Sequence, residues 1–157
     1  MDHTTAQDQA IDLMAHAEAA YLTTIDEDGW PTTRAMLNLR NVTTYPELAP
    51  VFNADHQDLL LYFTTNTSSE KVSQITRNNK ASAYFCCPVD WRGLMLGGPI
   101  SVVEDLHVKK TLWQKEWAMY YPGGVQDPDY SILCLKPRIA RYYESLDSCS
   151  WTLEDRS

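Results

Sequence analysis

Basic residues are scarce in this sequence. Its 157 residues include 13 Lys and Arg against 21 Asp and Glu, which gives a formal net charge of −8 at pH 7. A molecule of that sign repels nucleic-acid phosphates and the anionic headgroups of membranes. We therefore expect neither a nucleic acid nor a membrane as a partner, and an anionic ligand would need a local pocket of positive groups.

Long apolar runs, zinc-type cysteine spacings and the common catalytic motifs are also missing. No stretch approaches the roughly 20 apolar residues of a membrane span, and residues 1–9 lack the pattern of a secretory signal. The four cysteines form no CxxC or Cys/His pattern, so we predict reduced thiols, no metal site and a cytoplasmic location. No GxSxG, HExxH, Rossmann or P-loop pattern occurs either.

Apolar residues are abundant enough for a core, at 44% of the chain. That composition and the length predict one globular domain over residues 1–157. Within it, helix formers predict an N-terminal helix in residues 1–19, and polar residues predict a C-terminal tail over 144–157.

Short alternating segments dominate the rest of the chain. They predict strands at 20–25, 31–40, 59–64, 81–87, 92–104, 131–135 and 139–143, with helices near 70–79 and 105–120. Such a pattern favours a mainly β, α+β fold in which an antiparallel sheet closes as a barrel. In the hairpin formed by the first two strands, alternation places Ala35 and Leu37 on a core face and Arg34 and Met36 on a ligand-facing or subunit-facing side.

The segment that joins the third strand to the next helix is the strongest candidate for an anion site. It offers the hydroxyls of Thr65, Ser68 and Ser69, and Lys71 lies one turn into the helix. A helix start exposes backbone N–H groups and the positive end of the helix dipole, which favours phosphate. Residues 67–70 also have the spacing of a capping box, so a plain surface helix is the alternative.

Two other groups of residues each allow a functional and a structural interpretation. Arg34 beside Met36 is suited to a phosphate or carbonyl oxygen next to a planar ring, or Arg34 is simply a surface ion-pair residue. Trp113, Trp117 and Tyr120 fall on one stripe of the helix predicted at 105–120. Such a stripe is typical of a core or a subunit interface, and it can also border a flat cofactor.

Taken in order, five segments of the chain resemble one known family. They are 21–36 (YLTTIDEDGWPTTRAM), 61–71, 81–87, 91–104, and 113–130 with its ending PGGVQDPDY. Their order is similar to that of the pyridoxamine 5′-phosphate oxidase-like flavin-binding split-barrel superfamily, in its general-stress-protein branch. The resemblance covers roughly residues 10–143.

The resemblance implies a six-stranded antiparallel split barrel with flanking helices that binds flavin mononucleotide (FMN) at a homodimer interface. It assigns phosphate or ring-edge contacts to Arg34, ring contacts to Ala35 and Met36, and ring and ribityl contacts to Thr64 and Thr65. It also assigns phosphate binding to Ser69 and Lys71, and an approach to the flavin of the other subunit to Trp113. An FMN-dependent oxidoreductase acting on an unidentified small substrate is the expected function, with no catalytic side chain indicated.

Three departures from the family pattern argue against pyridoxamine 5′-phosphate oxidation itself. Glu70 replaces an arginine between the phosphate-binding serine and lysine, Gly93 replaces a glutamine, and residues 142–157 contain no Arg-x-His element. A non-catalytic flavin-binding or stress-related module is therefore an alternative. A related barrel that binds deazaflavin or haem is another.

Overall fold

The computed structural model describes residues 1–53 and 59–154. Its helices are α1 (His3–His16), α2 (Ala49–Asn53), α3 (Glu70–Arg77) and α4 (Leu106–Leu112). Its strands are β1 (Ala19–Ile25), β2 (Pro31–Leu37), β3 (Leu61–Asn66), β4 (Lys80–Cys87), β5 (Arg92–Val103), β6 (Tyr130–Leu135), β7 (Ile139–Glu144) and β8 (Asp147–Thr152). Among these residues, no helix combines the length and the apolar character that crossing a bilayer requires.

The strands pair in the order β2-β1-β4-β5-β6-β3, and every pairing is antiparallel. These six strands curl into a half-barrel with helices beside it, which confirms the predicted α+β split-barrel class. Two further strands extend the sheet, because β7 pairs with β5 and β8 pairs with β7.

The long strand β5 belongs to both halves of the curled sheet. Its first part, Arg92 to Pro99, pairs with β4, while Ile100 to Val103 pair with β6. The change of partner falls at Gly97-Gly98-Pro99. A Cβ atom on Gly98 would overlap the backbone carbonyl of Lys136, so this close approach of two backbones requires glycine.

Two clusters of buried side chains form the core. The larger one packs α1 against the sheet: Ala6, Ala10, Leu13 and Met14 are buried at helical spacing on one face of α1. They meet inward-facing strand residues, among them Leu22, Phe85, Leu94, Leu96 and Tyr142. The smaller cluster joins α2, α4 and β6 through Leu48, Phe52, Leu112, Trp117, Tyr121 and Tyr130.

The helix predicted at 105–120 is wrong in its second half. Helix α4 ends at Leu112, the backbone is extended at Trp113 and Gln114, and Lys115–Met119 form a separate 3₁₀ turn. This break lets both indoles pack on Tyr130, with ring centroids 5.0 Å away for Trp113 and 6.1 Å for Trp117. Aromatic packing therefore decides the local backbone.

The segment predicted as a polar tail contains a strand. Residues Asp147–Thr152 pair with β7, and Trp151 turns inward with 9% of its surface exposed. Its polar residues occupy the outward positions of the strand, so the composition resembled a tail. Residues 155–157 of the predicted tail lie outside the described residues.

Candidate functional site

A cavity of about 1120 Å³ opens between the β1–β2 hairpin and the loop that joins β3 to α3. The 3₁₀ turn Lys115–Met119 contributes to its wall. Six of the eight predicted site residues line it, namely Ala35, Met36, Thr64, Thr65, Ser69 and Lys71. Arg34 and Trp113 do not. Five aromatic residues also line it: Tyr21, Tyr45, Trp117, Tyr120 and Tyr121.

The β3–α3 loop presents its hydroxyls to this cavity instead of capping the helix. Helix α3 begins at Glu70 with Ser69 as the N-cap, and the Ser69 side chain accepts no hydrogen bond from the helix backbone. The predicted capping box is absent because Thr67 is held by β6: its hydroxyl lies 2.6 Å from the Ser131 hydroxyl, and its N–H donates to the Asp129 carbonyl. The Ser69 hydroxyl is thus left at the cavity wall.

Lys71 forms the centre of a small positive cluster with two hydroxyls. Its Nζ donates to Thr65 Oγ1 at 2.9 Å, and Thr65 Oγ1 lies 3.3 Å from Ser69 Oγ. Burial lowers the pKa of the Lys71 ammonium, and the positive charge of Arg34 lowers it further. Within the described ranges no carboxylate forms a salt bridge with Lys71. An ammonium in this position favours an anion.

Arg34 lies behind the cavity wall. Its Nη1 donates to Thr24 Oγ1 at 2.7 Å and to the Leu22 carbonyl at 3.2 Å, and its Nη2 donates to Thr32 Oγ1 at 3.0 Å. Burial lowers the pKa of the guanidinium, while the charge of Glu70 opposes that shift. Arg34 therefore strengthens the positive field around Lys71, and its direct contact with a phosphate stays a prediction.

The predicted core face of strand β2 is wrong, although Met36 lines the cavity as predicted. Met36 pairs with Ala20, which is buried in the core, so Met36 also turns inward and is only 9% exposed. Ala35 and Leu37 turn outward to the cavity. Sequence alternation is misleading at this point because a ligand cavity, like a core, is lined by apolar residues.

Thr64 and Tyr121 form the inner wall near the cluster. The Thr64 hydroxyl is buried, and its interaction with the Tyr121 phenol partly offsets the rise in the Tyr121 pKa that burial causes. The neighbouring Tyr121 hydroxyl donates to Asn66 Oδ1 at 2.8 Å. These two side chains therefore give this part of the wall a polar character.

Glu70, the departure beside the lysine, does not line this cavity. It borders a separate cleft of about 280 Å³ on the other side of α3, together with Ser73, Gln74 and Arg77. The carboxylate next to Lys71 in the sequence is therefore directed away from the Thr65 and Ser69 hydroxyls. This arrangement reduces the repulsion between Glu70 and an anion bound beside Lys71.

Three residues of the site could not be found by sequence reasoning. Gln74 Oε1 accepts hydrogen bonds from Thr24 at 2.6 Å and from Thr32 at 3.1 Å, yet it looks like any polar residue of an exposed helix. Tyr45 and Tyr121 reach the cavity from irregular segments. Trp113, in contrast, packs edge-on to Tyr130 and Trp117, and its predicted approach to the flavin of another subunit stays a prediction.

The chain is also similar to a known protein family. The model of pyridoxamine 5′-phosphate oxidase-like proteins matches residues 5–154. The chain belongs to this family. No curated protein matches it.

Several solved structures have the same fold as this pyridoxamine 5′-phosphate oxidase-like chain. A Clostridium acetobutylicum protein related to general stress protein 26 of Bacillus subtilis is 28% identical with a TM-score of 0.77, over 97% of this chain and 96% of that chain. General stress protein 26 from Bacillus anthracis is 19% identical with a TM-score of 0.70, over 94% and 98%. A haem-binding protein from Mycobacterium smegmatis is 15% identical with a TM-score of 0.68, over 97% and 60%.

Proposed function

We propose that the chain binds FMN in the cavity and acts as an FMN-dependent oxidoreductase on a small substrate. The observation that carries this proposal is the Lys71 ammonium, partly buried, without a salt bridge among the described residues and 2.9 Å from the Thr65 hydroxyl. A phosphate monoester suits this cluster because it supplies the missing negative charge and accepts hydrogen bonds from several hydroxyls.

The local charge matters because the molecule as a whole is acidic. With a net charge of −8, the overall field opposes any phosphate, so binding depends on nearby cations. Lys71 and Arg34 lie close enough to repel each other, since the charge of Arg34 lowers the pKa of Lys71. A phosphate dianion between the hydroxyls and Lys71 would relieve this repulsion between like charges.

The rest of the cavity suits a flat ring. Ala35 and Met36 on β2 line one side, Thr64 contributes a polar wall residue, and Trp117 and Tyr121 supply aromatic surface. A bound flavin ring supplies hydride or electron transfer. The residues of the chain hold the phosphate, orient the ring and exclude water, and none of them is assigned as a proton donor or acceptor.

A homodimer that closes the cavity is part of this proposal. Apolar side chains stay exposed around the opening: Leu37 is 48%, Met119 75% and Tyr120 70% exposed. Contiguous apolar surface beside a binding groove favours an interaction site. A second copy of the chain packed against part of this surface would complete the pocket and leave an entrance for the substrate.

Haem is the less suitable cofactor. A haem protein needs an axial ligand, most often histidine, cysteine, methionine or tyrosine. No histidine or cysteine of the described ranges lines the cavity, so an axial ligand would have to be one of its methionines or tyrosines. The likeness to the Mycobacterium smegmatis haem-binding protein, at 15% identity, extends to the fold alone.

Titration of the purified protein with FMN and, separately, with riboflavin tests the proposal. We expect flavin fluorescence or absorption to change on binding, with FMN bound more tightly by on the order of tenfold or more because riboflavin lacks the phosphate. Failure to bind FMN, or equal affinity for both flavins, would contradict it. Anaerobic reduction of the bound flavin by electron donors then separates an enzyme from a non-catalytic module, because a module shows no turnover.

A further inference from the structure

The lining of the cavity also contains groups whose charge is opposite to that of Lys71. Two carboxylates, Glu18 and Glu116, line it from different elements, one just before β1 and the other in the 3₁₀ turn Lys115–Met119. Both are exposed at the opening. Neither forms a salt bridge within the described part of the chain. Their negative charges therefore remain uncompensated at the entrance.

Flat and polarisable side chains accompany these carboxylates. Tyr45, Met119 and Tyr120 line the same cavity, and Met119 and Tyr120 expose most of their surface. Burial raises the pKa of the Tyr45 phenol, and the negative charge of Glu116 raises it further, so the carboxylate lies near the ring. Aromatic faces and carboxylates together attract organic cations.

Lys71 is the sole basic residue lining the cavity within the described ranges. Under the proposed function it is committed to the FMN phosphate through the Thr65 and Ser69 cluster. A second anionic ligand would find no cation of its own. The cavity, at about 1120 Å³, lies above the roughly 300–1,000 Å³ usual for a single small-molecule site, which leaves space for a second molecule beside the cofactor.

We propose that the substrate of this site is a flat organic cation, such as a protonated aromatic amine or an N-alkylated heterocycle, which enters between Glu18 and Glu116. This inference rests on FMN occupying the Lys71 end. It assigns opposite charges to the two ligands of one cavity: an anionic cofactor tail at one end and a cationic substrate at the other. It also disfavours phosphorylated substrates.

Binding of two probes that share a ring but differ in charge tests the inference. FMN-loaded protein is titrated with N-methylquinolinium and with quinoline-2-carboxylate, and the bound flavin spectrum reports each affinity. We expect the cation to bind about tenfold or more tightly than the anion, with the preference decreasing as salt is added. Glu116→Gln or Glu18→Gln should weaken binding of the cation about three- to tenfold and leave FMN affinity unchanged.

A matched control is Glu104→Gln, which removes one exposed carboxylate outside the cavity and should leave the preference intact. Equal affinities, tighter binding of the anion, or an equal effect of the Glu104 variant would overturn the inference while FMN binding stood. FMN content is measured first by absorption. Protein that takes up no FMN would refute the proposed function and this inference with it.

Discussion

Arg34 and Gln74 lie 40 positions apart in the sequence and meet beneath the cavity, where Arg34 Nη2 donates to Gln74 Oε1 at 3.2 Å. The same oxygen accepts from Thr24 and Thr32. One buried amide oxygen therefore joins helix α3, which carries Lys71, to the β1–β2 hairpin, which carries Ala35 and Met36. The two sides of the proposed FMN site are held at a fixed distance by this contact.

Gln74→Leu should destabilise the fold by about 1–3 kcal/mol, because it leaves buried donors of Thr24 and Arg34 without their acceptor. Gln74→Glu keeps an acceptor and adds a charge that Arg34 neutralises, so it should lose less stability. Urea unfolding of both variants and the wild type measures the difference. If Gln74→Leu were as stable as the wild type, the amide would have no such role.

Lys71→Met should weaken FMN binding by on the order of tenfold or more, since a charge-assisted contact to the phosphate is lost. Riboflavin affinity should change little, because that flavin has no phosphate. Lys80→Met is the matched control, as Lys80 is exposed at the start of β4 and lies outside the cavity. Fluorescence titration measures the FMN and riboflavin affinities of Lys71→Met and the FMN affinity of Lys80→Met. An unchanged FMN affinity in Lys71→Met would refute the phosphate assignment.

FMN affinity should fall at alkaline pH, and the fall should begin below 10.5, the ordinary pKa of lysine. Burial and Arg34 lower the pKa of Lys71 in the free protein, whereas a bound phosphate raises it. The attraction is complete below the lowered pKa and is lost as pH rises through it. The ratio of riboflavin to FMN dissociation constants, which cancels ionisation of the shared ring, measures this effect.

Lys71→Arg provides the control for that pH profile. An arginine stays protonated through the same range, so the ratio should remain flat where the wild type declines. A wild-type ratio that did not change up to the ordinary lysine pKa would contradict the role of Lys71 as the titrating group.

Glu70→Gln should change FMN affinity by less than about threefold, because the carboxylate borders the cleft with Ser73 and Arg77 and not the proposed phosphate site. A small gain is expected, since the charge of Glu70 still acts on Arg34. The same flavin titration measures it. A tenfold gain or more would mean that Glu70 faces the phosphate.

Gly98→Ala should cost about 2–3 kcal/mol of unfolding free energy, since its Cβ would overlap the rigid backbone of Lys136. Gly97→Ala is the matched comparison: its Cβ would lie 3.1 Å from the flexible Ile139 side chain, and we expect a cost below about 1 kcal/mol. Thermal or urea unfolding compares the two. Equal costs would contradict this account of the close approach.

Local sequence was sufficient for one wall of the site. Thr65, Ser69 and Lys71 lie within seven residues, and a strand followed by a hydroxyl-rich loop and a helix brings them together without distant contacts. The same segment also misled, because Thr67 and Glu70 have capping-box spacing. Only the pairing of Thr67 with Ser131 on β6 shows why that box does not form.

Features that depend on distant residues were not predictable. The core face of β2 was misassigned because Ala35 and Leu37 line a cavity, and apolar alternation does not distinguish a cavity from a core. Gln74 acquires its role from Thr24 on β1 and from Thr32 and Arg34 on β2. Strand β8 is recognisable only once β7 is placed beside it, since Trp151 is its one large inward side chain.

The continuity of β5 has a mechanical consequence for ligand binding. The hairpin wall is attached through β4 to the first part of this strand, and the β3 wall is attached through β6 to its end. Widening the gap between the walls therefore requires a change of twist near Gly97 and Pro99. Strand β7 pairs with residues 92–97 of β5. A bulky ligand that changes the twist of β5 would therefore also shift β7.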